Sequence, residues 1–116
     1  MATITEDYVS FKTAKLLKEK GFDEYTFSDY SEEGVIGFNE VETRIAKGYQ
    51  RPTLQMAMKW LREKYKFLIT IDLGIGVYVW TITNIDEYTV VQIDAVVGTY
   101  EEACEAAIKY CLLNLI

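Results

Sequence analysis

The chain has 116 residues, of which half are hydrophobic, 18 are acidic, 12 are basic and none is histidine. This length and apolar content predict one domain with a single hydrophobic core, and they exclude a disordered acidic tail. The net charge of −6 disfavours general binding to nucleic acid or anionic membrane, and the lack of histidine excludes every triad or metal site that requires imidazole.

The first predicted element is a helix with a basic surface. It begins after Ser10, a residue type favoured at the N-cap, and it ends at Gly21, which suits the position after a helix. Phe11, Ala14 and Leu17 recur at helical spacing, so they form the face that is expected to pack on the core.

The acidic segment, residues 22–42, is the most distinctive part of the chain. It holds seven of the 18 acidic residues and no basic residue, so the rest of the chain is close to neutral. Two short strands, over residues 25–30 and 35–41, are predicted within it on either side of a turn at residues 31–34. Aromatic residues are interleaved with the acids at Phe22, Tyr25, Phe27, Tyr30 and Phe38.

Two interpretations of the acidic segment are equally compatible with the sequence. Aromatic anchors within a charged rim are typical of a protein-binding surface, and the negative charge would attract a basic partner. Alternatively, the segment is a hairpin whose aromatic residues lie in the core while its acids face water. The candidate partner-binding residues are Tyr25, Phe27, Asp29, Tyr30, Glu32 and Glu33.

A second helix is predicted over residues 54–66, after a loop over residues 42–51. Thr53 is its expected N-cap, and an apolar stripe of the usual core-facing kind runs along the helix. Met56 and Trp60, four residues apart, lie beside that stripe and widen the apolar surface.

Three strands of an antiparallel meander are predicted next, over residues 67–73, 76–84 and 88–97. Two-residue turns between them would pair Ile69 with Trp80, and Trp80 with Ile93. In this register one face of the sheet is wholly apolar, whereas a slip of one residue in the last strand would place Gln92 and Asp94 on it.

The other face of the meander is polar. The predicted register places Thr81 opposite Gln92, near two carboxylates that could bind a cation or act as acid and base. Alternating polar residues are also typical of a sheet face that is half solvated. The candidate ligand or cation residues on this face are Asp72, Thr81, Gln92 and Asp94.

The last helix opens with a capping box at residues 99–102, and its polar residues span only about 100° of its circumference. Such a helix needs cover on more than one side, from the sheet and from either another helix or a second copy of the chain. The sequence therefore predicts a homodimer, with candidate contacts at Met56, Trp60, Leu112 and Leu115.

The two cysteines indicate a reducing compartment. Cys104 and Cys111 are seven residues apart on the last helix, which separates their Cα atoms by about 10 Å and is too far for a disulfide. The N-terminus shows no signal-peptide pattern, and no apolar run reaches the roughly 18 residues of a membrane span. A cytoplasmic protein without a cofactor or a metal is expected.

Three stretches of the chain carry a resemblance to a known family. They are VSFKTAKLLKEKGF at residues 9–22, PTLQMAMKWLRE at residues 52–63 and TYEEACEAAIKYCL at residues 99–112. Together they resemble a family of small proteins without an assigned activity from gut Bacteroidales and their phages or prophages. The resemblance covers nearly the whole chain and implies a small accessory protein of a phage or mobile element that acts in the bacterial cytoplasm.

The sequence as a whole predicts a single α+β domain over residues 1–116, in the order α-β-β-α-β-β-β-α, with the three-stranded meander packed against helices. The leading functional prediction is a non-enzymatic, host-interacting protein-binding module that uses the acidic segment and a partner with a basic surface. The alternative is a small-ligand or nucleotide-binding protein that uses the polar sheet face or a dimer groove.

Overall fold

A computed structural model describes residues 4–38 and 48–116 and confirms the α+β fold. The helices are α1 (Phe11–Glu19), α2 (Leu54–Tyr65) and α3 (Tyr100–Tyr110), and a π-helical turn, Cys111–Leu115, continues α3. The strands are β1 (Ser28–Tyr30), β2 (Ile36–Phe38), β3 (Tyr49–Gln50), β4 (Phe67–Leu73), β5 (Tyr78–Asn84) and β6 (Thr89–Val96). The order contains one strand more than the sequence predicts, because two residues of the predicted loop pair with β1 as β3.

All three helices begin at the predicted N-cap residues. The side chains of Ser10, Thr53 and Thr99 each accept a hydrogen bond from the backbone N–H three residues further on. These bonds satisfy donors that the first turn of a helix otherwise leaves without a partner.

The strands form two antiparallel sheets. The first has the order β2-β1-β3 and the second has the order β4-β5-β6. In the second sheet Ile71 pairs with Trp80, so the predicted pairing of Ile69 with Trp80 is wrong. The connection between β4 and β5 has four residues rather than two, and it is closed by a hydrogen bond of 2.8 Å from the N–H of Gly74 to the carbonyl oxygen of Val77.

A β-bulge changes the predicted register between β5 and β6. Next to the turn, Thr83 pairs with Val90, as the predicted alignment requires. Beyond the bulge Ile82 pairs with Gln92, and Trp80 pairs with Asp94 instead of Ile93. One extra residue in β6 therefore places its polar side chains on the face that carries Trp80, and the predicted wholly apolar face is wrong in this strand.

Helix α3 lies at the centre of the core. It contacts α1, α2 and all three strands of the second sheet, and its residues Cys104, Ala107 and Ile108 are fully buried. The broad apolar surface of this helix is therefore covered within one chain. Within the residues that the structure describes, no helix is both long enough and apolar enough to cross a membrane.

Candidate functional site

The acidic segment contains a hairpin, β1 and β2 with their turn, that is anchored to the core along one face. Ser28 and Tyr30 are buried, and the Tyr30 hydroxyl donates a hydrogen bond of 2.7 Å to the carbonyl oxygen of Val9. The Tyr30 ring also packs 5.5 Å from the ring of Phe11 on α1. Because this residue is part of the core, the prediction that Tyr30 contacts a partner is not supported by its position.

Large apolar side chains on the rest of the hairpin point into solvent. Phe27 is 76% exposed, Val35 is 66% exposed and Phe38 is 77% exposed. Tyr25 is half-buried, and its ring packs edge-on against Phe27 at 5.5 Å. Within residues 4–38 and 48–116, no other part of the chain covers these apolar side chains. The pairing of Ser28 with Phe38 places Phe38 on the same face of the hairpin as Tyr30.

The turn of the hairpin fixes two acids at its tip. Ser31 accepts hydrogen bonds on its side chain from the N–H groups of Glu33 and Val35. Gly34 has a φ of +87°, and a Cβ added there would lie 3.0 Å from the ring of Phe11. Glycine is needed at this position for both reasons, and the turn leaves Glu32 and Glu33 exposed.

Asp29 lies in the middle of β1, opposite Gly37 of β2 and half-buried. A Cβ added to Gly37 would meet the Oδ1 atom of Asp29 at 2.9 Å, so the carboxylate lies against the backbone of β2. Five of the seven acids of the acidic segment lie within the described residues, and no basic side chain lies between them. The other two acids, Glu40 and Glu42, and the end of the second predicted strand fall outside the described residues.

Two cationic side chains near the hairpin make cation–π contacts with aromatic rings. The Lys15 ammonium lies 4.7 Å from the ring centroid of Phe11, and the Arg51 guanidinium lies 4.0 Å from that of Tyr8. Arg51 also donates a hydrogen bond to the hydroxyl of Ser28, behind β1. The four residues of the tip, 31–34, include Glu32 and Glu33 and no basic residue.

The predicted dimer contacts do not form one surface. Leu112 is fully buried in the core, and Leu115 is half-buried. Met56 and Trp60 line a cleft of about 300 Å³ that they share with Phe22. Leu112 was predicted to contact a second copy because the broad apolar surface of the last helix needs cover. The rest of the same chain supplies that cover.

The predicted ligand residues of the sheet are separated by the bulge. Asp72 pairs with Val79 and Asp94 pairs with Trp80, so the two carboxylates extend from opposite faces and from opposite edge strands. Thr81 shares a face with Asp72, whereas Gln92 shares a face with Asp94. Among the described residues, no group of three or more cysteine or acidic side chains could hold a metal ion.

A second cavity, of about 320 Å³, lies between the N-terminal residues and α3. It is lined by Tyr100 and Cys104, and the acids on its walls are Glu6, Asp7 and Glu101. Burial raises the pKa of the Cys104 thiol to about 11, and it raises the pKa of Cys111 to about 12. Both thiols are therefore protonated at neutral pH, which removes the nucleophile that cysteine chemistry requires.

We expect iodoacetamide at about pH 8 to leave Cys104 and Cys111 unmodified in the folded protein and to modify both in urea.

The raised pKa values also predict that the protein becomes less stable at high pH. Above the ordinary thiol pKa of 9.0 the unfolded chain releases two protons that the folded protein retains, so the free energy of unfolding falls until the pH reaches the folded-state pKa values of about 11 and about 12. Urea unfolding at about pH 8 and about pH 10.5 measures the loss. An equal loss in the Cys104→Ala, Cys111→Ala double variant would contradict the assignment to the thiols.

Comparison with protein-family models, curated proteins and solved structures finds no significant match to this chain. The resemblance of residues 9–22, 52–63 and 99–112 to a Bacteroidales and phage family therefore stays a prediction. The exposed apolar residues of the hairpin include three that the candidate set omits, Val35, Ile36 and Phe38. The nearly continuous apolar run VIGF at residues 35–38 is the sequence signal that could have found them.

Proposed function

We propose that the protein is a non-enzymatic protein-binding module that uses the hairpin of the acidic segment to bind a partner with a basic surface. The observation that carries the proposal is the exposure of Phe27, Val35 and Phe38 on a hairpin that is fixed to the core by Tyr30. Following the family resemblance, we place this role in the bacterial cytoplasm, in an accessory protein of a phage or mobile element.

The physical argument combines apolar area with charge. Exposed apolar surface costs free energy in water, and several large apolar side chains held exposed on a rigid support are typical of a binding surface. Aromatic residues supply a large share of binding free energy at such surfaces. The acids around them, Glu32 and Glu33 above all, would accelerate encounter with a basic partner and disfavour acidic ones.

Small-ligand or nucleotide binding has weaker support. The polar sheet residues lie on two faces, and the cavity beside Tyr100 and Cys104 is lined by carboxylates that would repel phosphate groups. An enzyme that relies on Asp72 and Asp94 has the same difficulty, because these two side chains point away from each other.

Changes to the charge or to the exposed aromatic residues of the hairpin should weaken partner binding. We expect Glu32→Lys with Glu33→Lys to weaken binding at least about 10-fold at low salt, and Phe27→Ala with Phe38→Ala to weaken it about 30-fold or more. The partner is captured from an extract of the bacterial host, identified by mass spectrometry, purified and then titrated at several salt concentrations.

The matched control for the charge reversal is Asp86→Lys with Glu87→Lys, two adjacent exposed acids at the turn between β5 and β6. For the apolar pair the control is Ile75→Ala, since Ile75 is exposed at the turn between β4 and β5. Binding that is unchanged in both hairpin variants, with unchanged thermal stability, would overturn the proposal.

A further inference from the structure

Among the described residues, no segment pairs with the outer edge of strand β6, so β6 is an open edge of the second sheet. Its backbone pairs with β5 on one side, and six of its eight residues are exposed, against three of seven in β4 at the opposite edge. Native proteins usually protect such an edge with Lys or Pro, with a very short strand, with a bulge, with an inward-pointing charge or with a covering segment. The sequence of β6, TVVQIDAV, contains neither Lys nor Pro, and Ile93 is 59% exposed. Its bulge interrupts only the end near Val90, and Asp94, although it lies on the face of Trp80, is exposed.

The residues of β6 are complementary to a second, antiparallel β6. A two-fold axis perpendicular to the sheet leaves the same face of both copies on the same side. Because successive side chains alternate between faces, residues can face each other only if the axis passes at a residue position. Moving the axis by one residue therefore shifts the pairing by two residues. With the axis at Ile93, that residue faces its own copy and Val91 faces Ala95. Gln92 then faces Asp94 twice, which places an amide donor opposite a carboxylate acceptor.

The neighbouring registers are less favourable. An axis at Asp94 places two carboxylates directly opposite each other, which is destabilising. An axis at Gln92 places Asp94 opposite Val90, at the bulge, and leaves the carboxylate without a polar cross-strand partner. Among these three registers, the polar residues of the strand therefore favour the one with its axis at Ile93.

We propose that β6 of one chain pairs with β6 of a second copy, antiparallel about a two-fold axis at Ile93, so that the two sheets form one sheet of six strands. The second copy is the occupant that the pattern favours, because the donor and acceptor that match are both supplied by this strand. The helices of both copies then lie on the same side of the joined sheet. This surface is separate from the hairpin of the acidic segment, so the two proposals stand or fall independently.

Charge changes of opposite sign at Gln92 test the register. In the proposed register residue 92 of each copy faces Asp94 of the other copy. Gln92→Glu therefore creates two pairs of like charges across the interface, and Gln92→Lys creates two pairs of opposite charges. We expect the dissociation constant of the dimer to rise about 2-fold to 30-fold in the first variant and to fall by a similar factor in the second. Sedimentation equilibrium from about 1 to about 500 µM measures the constant.

A cysteine at the axis tests the geometry directly. Facing residues of an antiparallel pair have Cα atoms about 4.5 to 5.5 Å apart, which is within the range that a disulfide spans. Ile93→Cys should therefore give a covalent dimer on mild oxidation, and the matched control Thr70→Cys, exposed on the other edge strand, should not. Both native cysteines are buried and do not compete.

Three results would overturn the proposal. They are a mass of one chain at about 500 µM, the same dissociation constant in both Gln92 variants, and equal cross-linking of the two cysteine variants. If a dimer still forms, the last two would show that it forms through another surface.

Discussion

Replacing Leu112 with alanine is expected to lower the free energy of unfolding by about 2 to 5 kcal/mol. Leu112 is fully buried in the π-helical turn that continues α3, in the same core as Leu17, Leu61 and Ile108. Truncation removes the free energy of burying the side chain and leaves a cavity that packed neighbours fill only in part. Urea unfolding monitored by circular dichroism measures the loss.

The adjacent residue supplies the control. Leu113 is 57% exposed, so Leu113→Ala should change stability by less than about 0.5 kcal/mol. The loss in Leu112→Ala should also be the same at every protein concentration, because its contacts lie within one chain. A loss that grows on dilution would indicate that Leu112 contacts a second copy, as the sequence alone predicts.

Replacing Glu105 with alanine is expected to cost about 1.5 to 3 kcal/mol. The carboxylate of Glu105, on α3, accepts hydrogen bonds from the backbone N–H of Ser10 at 3.0 Å and from the hydroxyls of Ser10 and Thr13 at 2.5 Å each. It therefore joins the centre of the core to the first turn of α1, where the helix dipole also favours a negative charge. Thr13 is fully buried, so its hydroxyl would lose a charged acceptor and keep only the weaker bond of 3.2 Å to the hydroxyl of Ser10.

Glu101 is the matched control, since it is an exposed acid one helical turn earlier on α3. We expect Glu101→Ala to cost less than about 1 kcal/mol, and Glu105→Gln to keep part of the lost stability because its amide oxygen can still accept. Chemical denaturation of the three variants measures these differences. Equal losses in Glu105→Ala and Glu101→Ala would show that the bonds to α1 contribute nothing.

The helix starts could be predicted because they depend on nearby residues. Ser10, Thr53 and Thr99 act on backbone groups three residues away, so their chemistry is visible in a short stretch of sequence. The role of Glu105 could not be predicted, since its partner Ser10 is 95 residues distant and no local pattern marks it.

The sheet register and the hairpin surface show where a periodic pattern is insufficient. Alternation separates two faces of a strand, but it does not reveal an extra residue, and the bulge opposite Ile82 and Thr83 moved Asp94 to the face of Trp80. The same limit applies in the acidic segment, where Phe27 and Tyr30 are both aromatic residues within two positions of Asp29. Only the packing of Phe11 against Tyr30 decides that one is core and the other is surface.

The central position of α3 has a consequence for the order in which the molecule folds. Helix α1 contacts α3 across about 90 residues, so a long loop must close before α1 gains these contacts. In contrast, α3 contacts α2 and the second sheet, which are much nearer to it in sequence. We therefore expect α1 to dock late, onto a core that α2, α3 and the second sheet have already formed. Until α1 docks, its apolar face and the surface of α3 that it covers are open to chaperones and to intermolecular association.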